Sequence, residues 1–332
     1  VTAKGGLIVY GANGYTGRLI VEAALREGLR PVVAGRRREA VEPLAAEWGL
    51  NSLCFSLDDA ASSAHLLGPY AAMILAAGPF SKTSAPALEA CLRAGTAYLD
   101  ITGEVDVFEA VFARDADAKK AGVAVLPGTG FDVVPSDCLA KALSEALPGA
   151  ETLTLAFRGF KTSAGTMKTM LEGIPKGGLV RAGGQLVRVP AAWNDLATAF
   201  RSTGIPDIEV YMAVPPSAVA SARRMRRFAK LLGLPPVQSF LKARVDKNVK
   251  GPTAEERARE RSYLWGRVTK GGSVVTGTLE TLEGYALTAE TAISIAKRVL
   301  AGGVAPGVQT PSQAFGARFI ETIRGSKLVV PA

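Results

Sequence analysis

The chain has 332 residues, 48% of them hydrophobic and 21% charged; at about 150 residues per domain this predicts two globular domains and excludes a disordered or fibrous chain. Three dispersed cysteines with no CxxC pair and a single histidine, His65, exclude a disulfide framework and a cysteine- or histidine-rich metal centre, so no metal site is expected. The net charge is +9, from 39 basic and 30 acidic residues; nine cations against one acid between Ser221 and Lys250 carry +8 of it, which favours an acidic partner or an anionic membrane surface over nucleic acid.

The elements follow in chain order. LIVYG (7–11) reads as a buried strand, TGRLIVEAALREG (16–28) as an amphipathic helix stopped by Gly28, and PVVAG (31–35) as a second strand. A helix near 38–48, strands at 53–57 and 73–78, a helix at 84–95, a strand at 97–101, one helix over 104–122 and a strand at 123–128 complete the first half. This alternation, with continuously apolar strands, predicts an α/β domain: a Rossmann-type, doubly wound parallel sheet over residues 1–148. Beyond Pro148 the pattern changes. Amphipathic strands at 152–159, 208–214, 263–269 and 272–282, with helices near 215–232, 237–249 and 287–301, predict an α+β domain of largely antiparallel sheet over 149–332. The last helix is a candidate to pack back on the first domain. The stretch 173–185 reads as a glycine-rich loop. No run of about 18 uncharged apolar residues occurs, and the first strand begins within a few residues of the start, so the expectation is a cytoplasmic protein, peripheral to the membrane at most.

The chemistry concentrates in Gly11-Ala12-Asn13-Gly14-Tyr15-Thr16-Gly17. A GxxGxxG between the first strand and first helix forms a diphosphate-binding turn, with the free N–H groups of the helix start aimed at the phosphates. The second strand ends in Arg36-Arg37, where an NAD-selective site carries an acid for the ribose hydroxyls. Two guanidinium groups suit a 2′-phosphate, so NADP(H) is favoured; the alternative is that both arginines only solvate a helix start. Asp58, after the third strand, is a candidate for the adenine or for an ordinary turn. Gly78-Pro79-Phe80, Gly103 and Gly130 fall in loops after the fourth, fifth and sixth strands, at the carboxyl edge where such sheets bind ligands.

Taken together, YGANGYTG (10–17), AGRR (34–37), AAGPFSKTSAPALEACLRAG (76–95), YLDITGE (98–104), PGTGFDVVPSDCLA (127–140), STGIPDIEVYMAVP (202–215) and EGYALTAETAISIAKRVLAGG (283–303) resemble the saccharopine dehydrogenase-like oxidoreductases, specifically short bacterial members akin to trans-acting enoyl reductases. The resemblance implies NADP(H) bound by the N-terminal domain and a homodimer formed through the second. The chain departs from its relatives in having Ala97 where many have histidine and Thr83 where others have tyrosine, so neither position supplies a proton donor.

No tyrosine is followed by lysine four residues later, so the YxxxK arrangement of short-chain dehydrogenases is missing. Lys82 and Tyr211 are the candidate catalytic groups, and Asp132, Ser163, Thr166 and Lys168 the candidate substrate contacts. Glu104 and Asp137 read equally well as helix-start acids, and His65 as a surface or packing residue. Three functions fit: an NADP(H)-dependent reductase of a C=C bond, on an enoyl-type and carrier-bound acyl chain; a C=N oxidoreductase of the saccharopine type; and a non-catalytic NADP(H) sensor. The basic segment 221–250 suits an acidic carrier protein or a membrane surface, and equally an ordinary solvated helix.

Overall fold

A computed structural model describes residues 4–158, 161–173, 178–183, 185–189, 197–213 and 234–331. In chain order the first half comprises β1 (Leu7–Tyr10), α1 (Tyr15–Arg26), β2 (Val32–Gly35), α2 (Arg38–Glu47), β3 (Ser52–Cys54), α3 (Ala60–Leu67), β4 (Ala72–Leu75), α4 (Phe80–Ala94), β5 (Ala97–Asp100), α5 (Val105–Phe112), α6 (Asp115–Ala121), β6 (Ala124–Leu126) and α7 (Val134–Ala146). Then come β7 (Thr152–Arg158), α8 (Ala164–Gly173), β8 (Gly178–Ala182), β9 (Gln185–Val189), α9 (Ala197–Thr203), β10 (Asp207–Ala213), α10 (Pro235–Asn248) and α11 (Ala254–Arg259). The chain closes with β11 (Arg261–Lys270), β12 (Ser273–Leu282), α12 (Gly284–Leu300), β13 (Gly307–Val308), α13 (Pro311–Phe315) and β14 (Lys327–Val329).

The first sheet runs in the order β13-β6-β5-β4-β1-β2-β3, and all its pairings are parallel. Every residue of β1, β2, β4 and β5 is buried, as expected where helices cover both faces of a parallel sheet. The strand order reverses between β1 and β4, and that switch point opens a crevice at the carboxyl ends of the strands. The second sheet, β14-β12-β11-β7-β10-β8-β9, is mixed and mostly antiparallel, with β7 and β10 its parallel pair. Its inner face (Leu153, Leu155, Ile208, Val210, Leu264, Val268, Leu279) is buried in one apolar core with Leu139 and Leu143 of α7. Helix α12 returns to pack on α1 and on the first sheet.

Several expectations need correction. The helix expected over 104–122 is two helices, α5 and α6, parted at Ala113–Arg114. Arg114 is anchored to Glu89 of α4 at 2.8 Å, and Asp115 and Asp117 suit the start of a new helix. Inside the supposed loop 173–185 the chain forms β8, which pairs with β9 from Gly178↔Val189 to Ala182↔Gln185. The parallel sheet gains a seventh strand, β13, whose two residues are too short to leave a periodic signal. The helix expected near 215–232, and with it Arg223 to Lys230 of the basic segment, lies outside the described residues.

Candidate functional site

The site begins at the turn from β1 into α1. Gly11 has φ +86°, and a Cβ there would meet the Ala77 backbone nitrogen at 2.7 Å. At Gly17 a Cβ would collide with the Gly11 carbonyl and reach Ala12 Cα at 2.8 Å. Only glycine permits this turn to press against the β4–α4 loop and helix α1 to press on the turn. Gly14, the N-cap, is extended and supplies no side-chain cap, which leaves the first N–H groups of α1, those of Tyr15, Thr16 and Gly17, for an anion. A concavity that any Cβ would fill, lined by helix-start N–H groups, fits a dinucleotide diphosphate.

At the adenosine end, the Asn13 side-chain oxygen lies 3.3 Å from the position of a Cβ on Gly35, at the end of β2. Tyr10 donates to the Phe55 carbonyl at 2.9 Å. Burial pushes the Tyr10 phenol up to about 12, with Arg36 opposing and Asp58 reinforcing the shift. Arg36 and Asp58 are therefore brought to one place, and both are exposed, as is Arg37. Arg37 stands 4.0 Å from Glu39 and caps α2 without a side-chain bond. Asp58 accepts a bond from Ser56 at 2.6 Å.

Toward the other end, the loop Gly78-Pro79-Phe80 contains a cis Gly78–Pro79 bond. Glu104 accepts the Phe80 N–H at 3.1 Å, and Thr83 donates to the Ala77 carbonyl at 2.7 Å, so this loop is held from two sides. Asp100, fully buried, receives the N–H groups of Thr102 and Gly128 and the Tyr98 hydroxyl, which fixes the loops after β5 and β6 relative to each other. The latter loop is also pinned by α12: Phe131 N–H donates to Thr288 at 2.9 Å and Thr291 donates to the Thr129 carbonyl at 2.7 Å, while Gly130 lies against Thr288.

Asp132 packs directly on Gly103, where a Cβ would stand 2.8 Å from its Oδ2. Burial alone pushes its carboxyl up to about 6. The Tyr285 phenol is pushed above the ordinary range by burial first and, more weakly, by the charge of Asp132. The Tyr285 hydroxyl accepts the Ser163 N–H at 2.6 Å and shares a 2.7 Å bond with the Thr166 hydroxyl. Its ring meets Tyr15 edge-on, centroids 5.0 Å apart. Tyr15 in turn donates to the Pro252 carbonyl at 2.5 Å and accepts from Arg257 at 2.8 Å. Glu283, buried at the start of α12, accepts the N–H groups of Tyr285 and Ala286.

The structure thus brings together Gly11, Asn13, Gly14, Tyr15, Thr16 and Gly17 with Gly78, Pro79, Phe80, Gly103, Gly130, Asp132, Ser163 and Thr166 along one crevice. Lys168 lies further along α8, half-buried. One expectation is corrected. Tyr211 does not join the crevice: it is 40% exposed on the outward face of β10 and donates to Glu209 at 2.8 Å, because Val210 and not Tyr211 occupies the inward register. Lys82 is exposed on the first turn of α4. Asp137 is a buried structural acid that accepts the Ser312 N–H at 2.7 Å. Tyr285, Glu283 and Arg257 were missed. Tyr285 stands in the EGY that opens the last helix, but nothing local ties that position to a turn 270 residues earlier.

Residues 7–126 match the family model of the saccharopine dehydrogenase NADP binding domain. The chain is 32% identical over 150 residues to the trans-acting enoyl reductase of Mycobacterium tuberculosis, covering 40% of this chain and 33% of that protein. It is 28% identical over 208 residues to the saccharopine dehydrogenase-like oxidoreductase of Mus musculus, covering 53% and 47%. The match spans less than half the length of these curated relatives. Among solved structures, apo saccharopine dehydrogenase (L-Glu forming) from Saccharomyces cerevisiae superposes with a TM-score of 0.66 at 13% identity, over 98% of this chain and 100% of that one, a likeness of fold.

Proposed function

We propose that the protein, whose residues 7–126 match the saccharopine dehydrogenase NADP-binding family model, is an NADP(H)-dependent oxidoreductase that reduces a C=C bond of an enoyl-type acyl substrate by hydride transfer. The observation that carries this reading is the pairing of a glycine cradle at the β1–α1 turn with Arg36 and Arg37, and no acid, at the end of β2. The nicotinamide, when bound, supplies the hydride; the chain's part is to hold the diphosphate on the α1 N–H groups and the 2′-phosphate on the two arginines.

The choice of C=C over C=N rests on the lining of the crevice. Joining or splitting an amino acid and a keto acid calls for several cations to hold carboxylates. Of the candidates, Lys161 is tied to Glu256 at 2.8 Å, Arg158 ends β7 exposed, Lys82 is exposed on α4 and Lys168 is half-buried on α8, while Arg257 is bonded to Tyr15 and the Pro252 carbonyl. What the crevice offers instead is hydroxyls (Tyr285, Thr166) and the Asp132 carboxyl, a lining suited to an uncharged acyl group. The similarity to a protein named trans-acting enoyl reductase supports the same choice. The +8 segment 221–250, whose Lys242, Arg244 and Lys247 lie on α10, suits delivery of the acyl group by an acidic carrier protein. A second copy of the chain is the proposed occupant of the outward face of the second sheet.

Oxidation of NADPH, followed by absorbance with a trans-2-enoyl thioester and separately with an imine formed from an amino acid and a keto acid, tests this. Turnover of the enoyl thioester alone is expected. Turnover of the imine alone would replace the reading with the saccharopine-type one, and tight NADPH binding with no turnover of either would favour a sensor.

A further inference from the structure

The crevice contains one acid whose setting the cofactor cradle does not explain. Asp132 follows β6, the strand beside β5 and two removed from the switch point, so it stands at the far end of the crevice from Arg36. It lies against Gly103, where any side chain would displace its carboxyl. Unlike Asp100 and Asp137, which accept backbone N–H groups, its carboxyl accepts no hydrogen bond from the described residues. It is half-buried, so it keeps some exposed surface. The described titratable group that its charge biases is the Tyr285 phenol, from α12, itself bonded to Ser163 and Thr166. No described cation contributes to its shift, which burial alone produces.

We propose that Asp132 is the proton donor of the hydride-transfer site, at the loop ends of β5 and β6, where it packs on Gly103. This rests on the oxidoreductase reading above and deepens it. A structural acid at such a position caps N–H groups; Asp132 caps none, and it is enclosed enough to keep its proton to about pH 6 yet not sealed off. In the reduction, a hydride carrying two electrons forms a C–H bond at the β-carbon of the enoyl group. The π pair moves onto the α-carbon and its carbonyl. The Asp132 O–H bond then breaks, its proton forms the second C–H bond at the α-carbon, and the carboxylate left behind takes a proton from water. With NADPH bound, the hydride would come from the broken C–H bond of the reduced nicotinamide, which would be left oxidised and cationic; in this reading Asp132 is the carboxylate that would meet that charge.

That last point gives a test independent of any substrate. NADP⁺ carries a nicotinamide cation and NADPH does not, so an ionised Asp132 beside the ring favours NADP⁺. Affinities of the full chain for both nucleotides are measured by titration calorimetry from pH 5 to 8, for the wild type and Asp132→Asn. In the wild type the NADP⁺ affinity relative to NADPH is expected to rise at least ~5-fold, with a midpoint near 6, the lower bound set by unit charges about 4 Å apart at the dielectric of bulk water. In Asp132→Asn the ratio is expected to stay flat, with NADPH affinity at pH 7 within about twofold of wild type, which also reports an intact fold. With a trans-2-enoyl N-acetylcysteamine thioester, turnover by the variant is expected to fall ~100-fold or more. The same pH dependence in both proteins, or undiminished turnover in the variant, would overturn the role of Asp132 and leave the oxidoreductase reading standing. Failure of the wild type to bind either nucleotide would overturn the oxidoreductase reading itself.

Discussion

Asp132 holds its proton at a cost to the fold. Its carboxyl is raised from 3.8 to about 6, so between those values the folded protein binds more protons than the unfolded chain, and stability falls as pH rises. Above pH 6 the folded state carries a desolvated carboxylate. Asp132→Asn removes that penalty and is expected to stabilise the protein at pH 7.5 by about 1–2 kcal/mol, and much less at pH 4, where the wild-type acid is mostly neutral in the folded state. Denaturant melts at the two pH values check this; equal effects at both would show that the carboxyl is not desolvated. Tyr285→Phe is expected to act oppositely. It strips the Ser163 N–H of its partner and leaves the Thr166 hydroxyl only its 3.3 Å contact with Ser163, and should cost about 1–3 kcal/mol at either pH, since it leaves a buried donor unsatisfied. At this scale the sequence is uneven as a guide. Gly11, Gly14 and Gly17 were legible because their spacing is set by local backbone sterics. Tyr211 was misplaced because a strand side chain reaches the site or solvent according to a one-residue register that alternation alone does not anchor.

In the proposed reading, nucleotide binding depends on the β1–α1 turn. In Gly17→Ala the added methyl would collide with the Gly11 carbonyl, and backbone does not yield as a flexible side chain does. Helix α1 must shift, so a loss of about 2–4 kcal/mol in stability is expected together with loss of nucleotide binding. A variant with wild-type stability and affinity would contradict the close approach. The parallel strands were readable because each is apolar throughout, and their helices because each carries one buried face. The α5–α6 break escaped notice because its cause is a contact between elements, Arg114 with Glu89 of α4. The β8–β9 hairpin was hidden in a glycine-rich stretch, and β13 by its length.

For the whole molecule, the second sheet is buried on one face only among the described residues. Its outward face carries Tyr211, Tyr263, Trp265 and Val329, each at least 37% exposed, amid Glu209 and Glu280 and the cations Arg158, Arg267 and Lys327. Apolar surface with both charge signs is self-complementary, as a twofold interface between identical copies requires. Light scattering is expected to find a dimer, and Tyr263→Glu/Trp265→Glu a monomer that still binds nucleotide; a monomeric wild type would contradict this. No helix among the described residues is long and apolar enough to cross a membrane. The two-sheet architecture was legible from where the strand pattern changes, near Pro148. The contact of the α11 segment with the β1–α1 turn, through Pro252 and Arg257 on Tyr15, was not, because it joins positions far apart in the chain that carry no local signal.

The central claim is that the β1–α1 turn and the two arginines after β2 select NADP(H). Fluorescence titration with NADPH and NADH, for the wild type and Arg36→Ala/Arg37→Ala, tests it most directly. The account predicts tight NADPH binding by the wild type that weakens ~10-fold or more in the double variant, with NADH affinity little changed. Equal affinity for both nucleotides, unaltered by the substitutions, would contradict it.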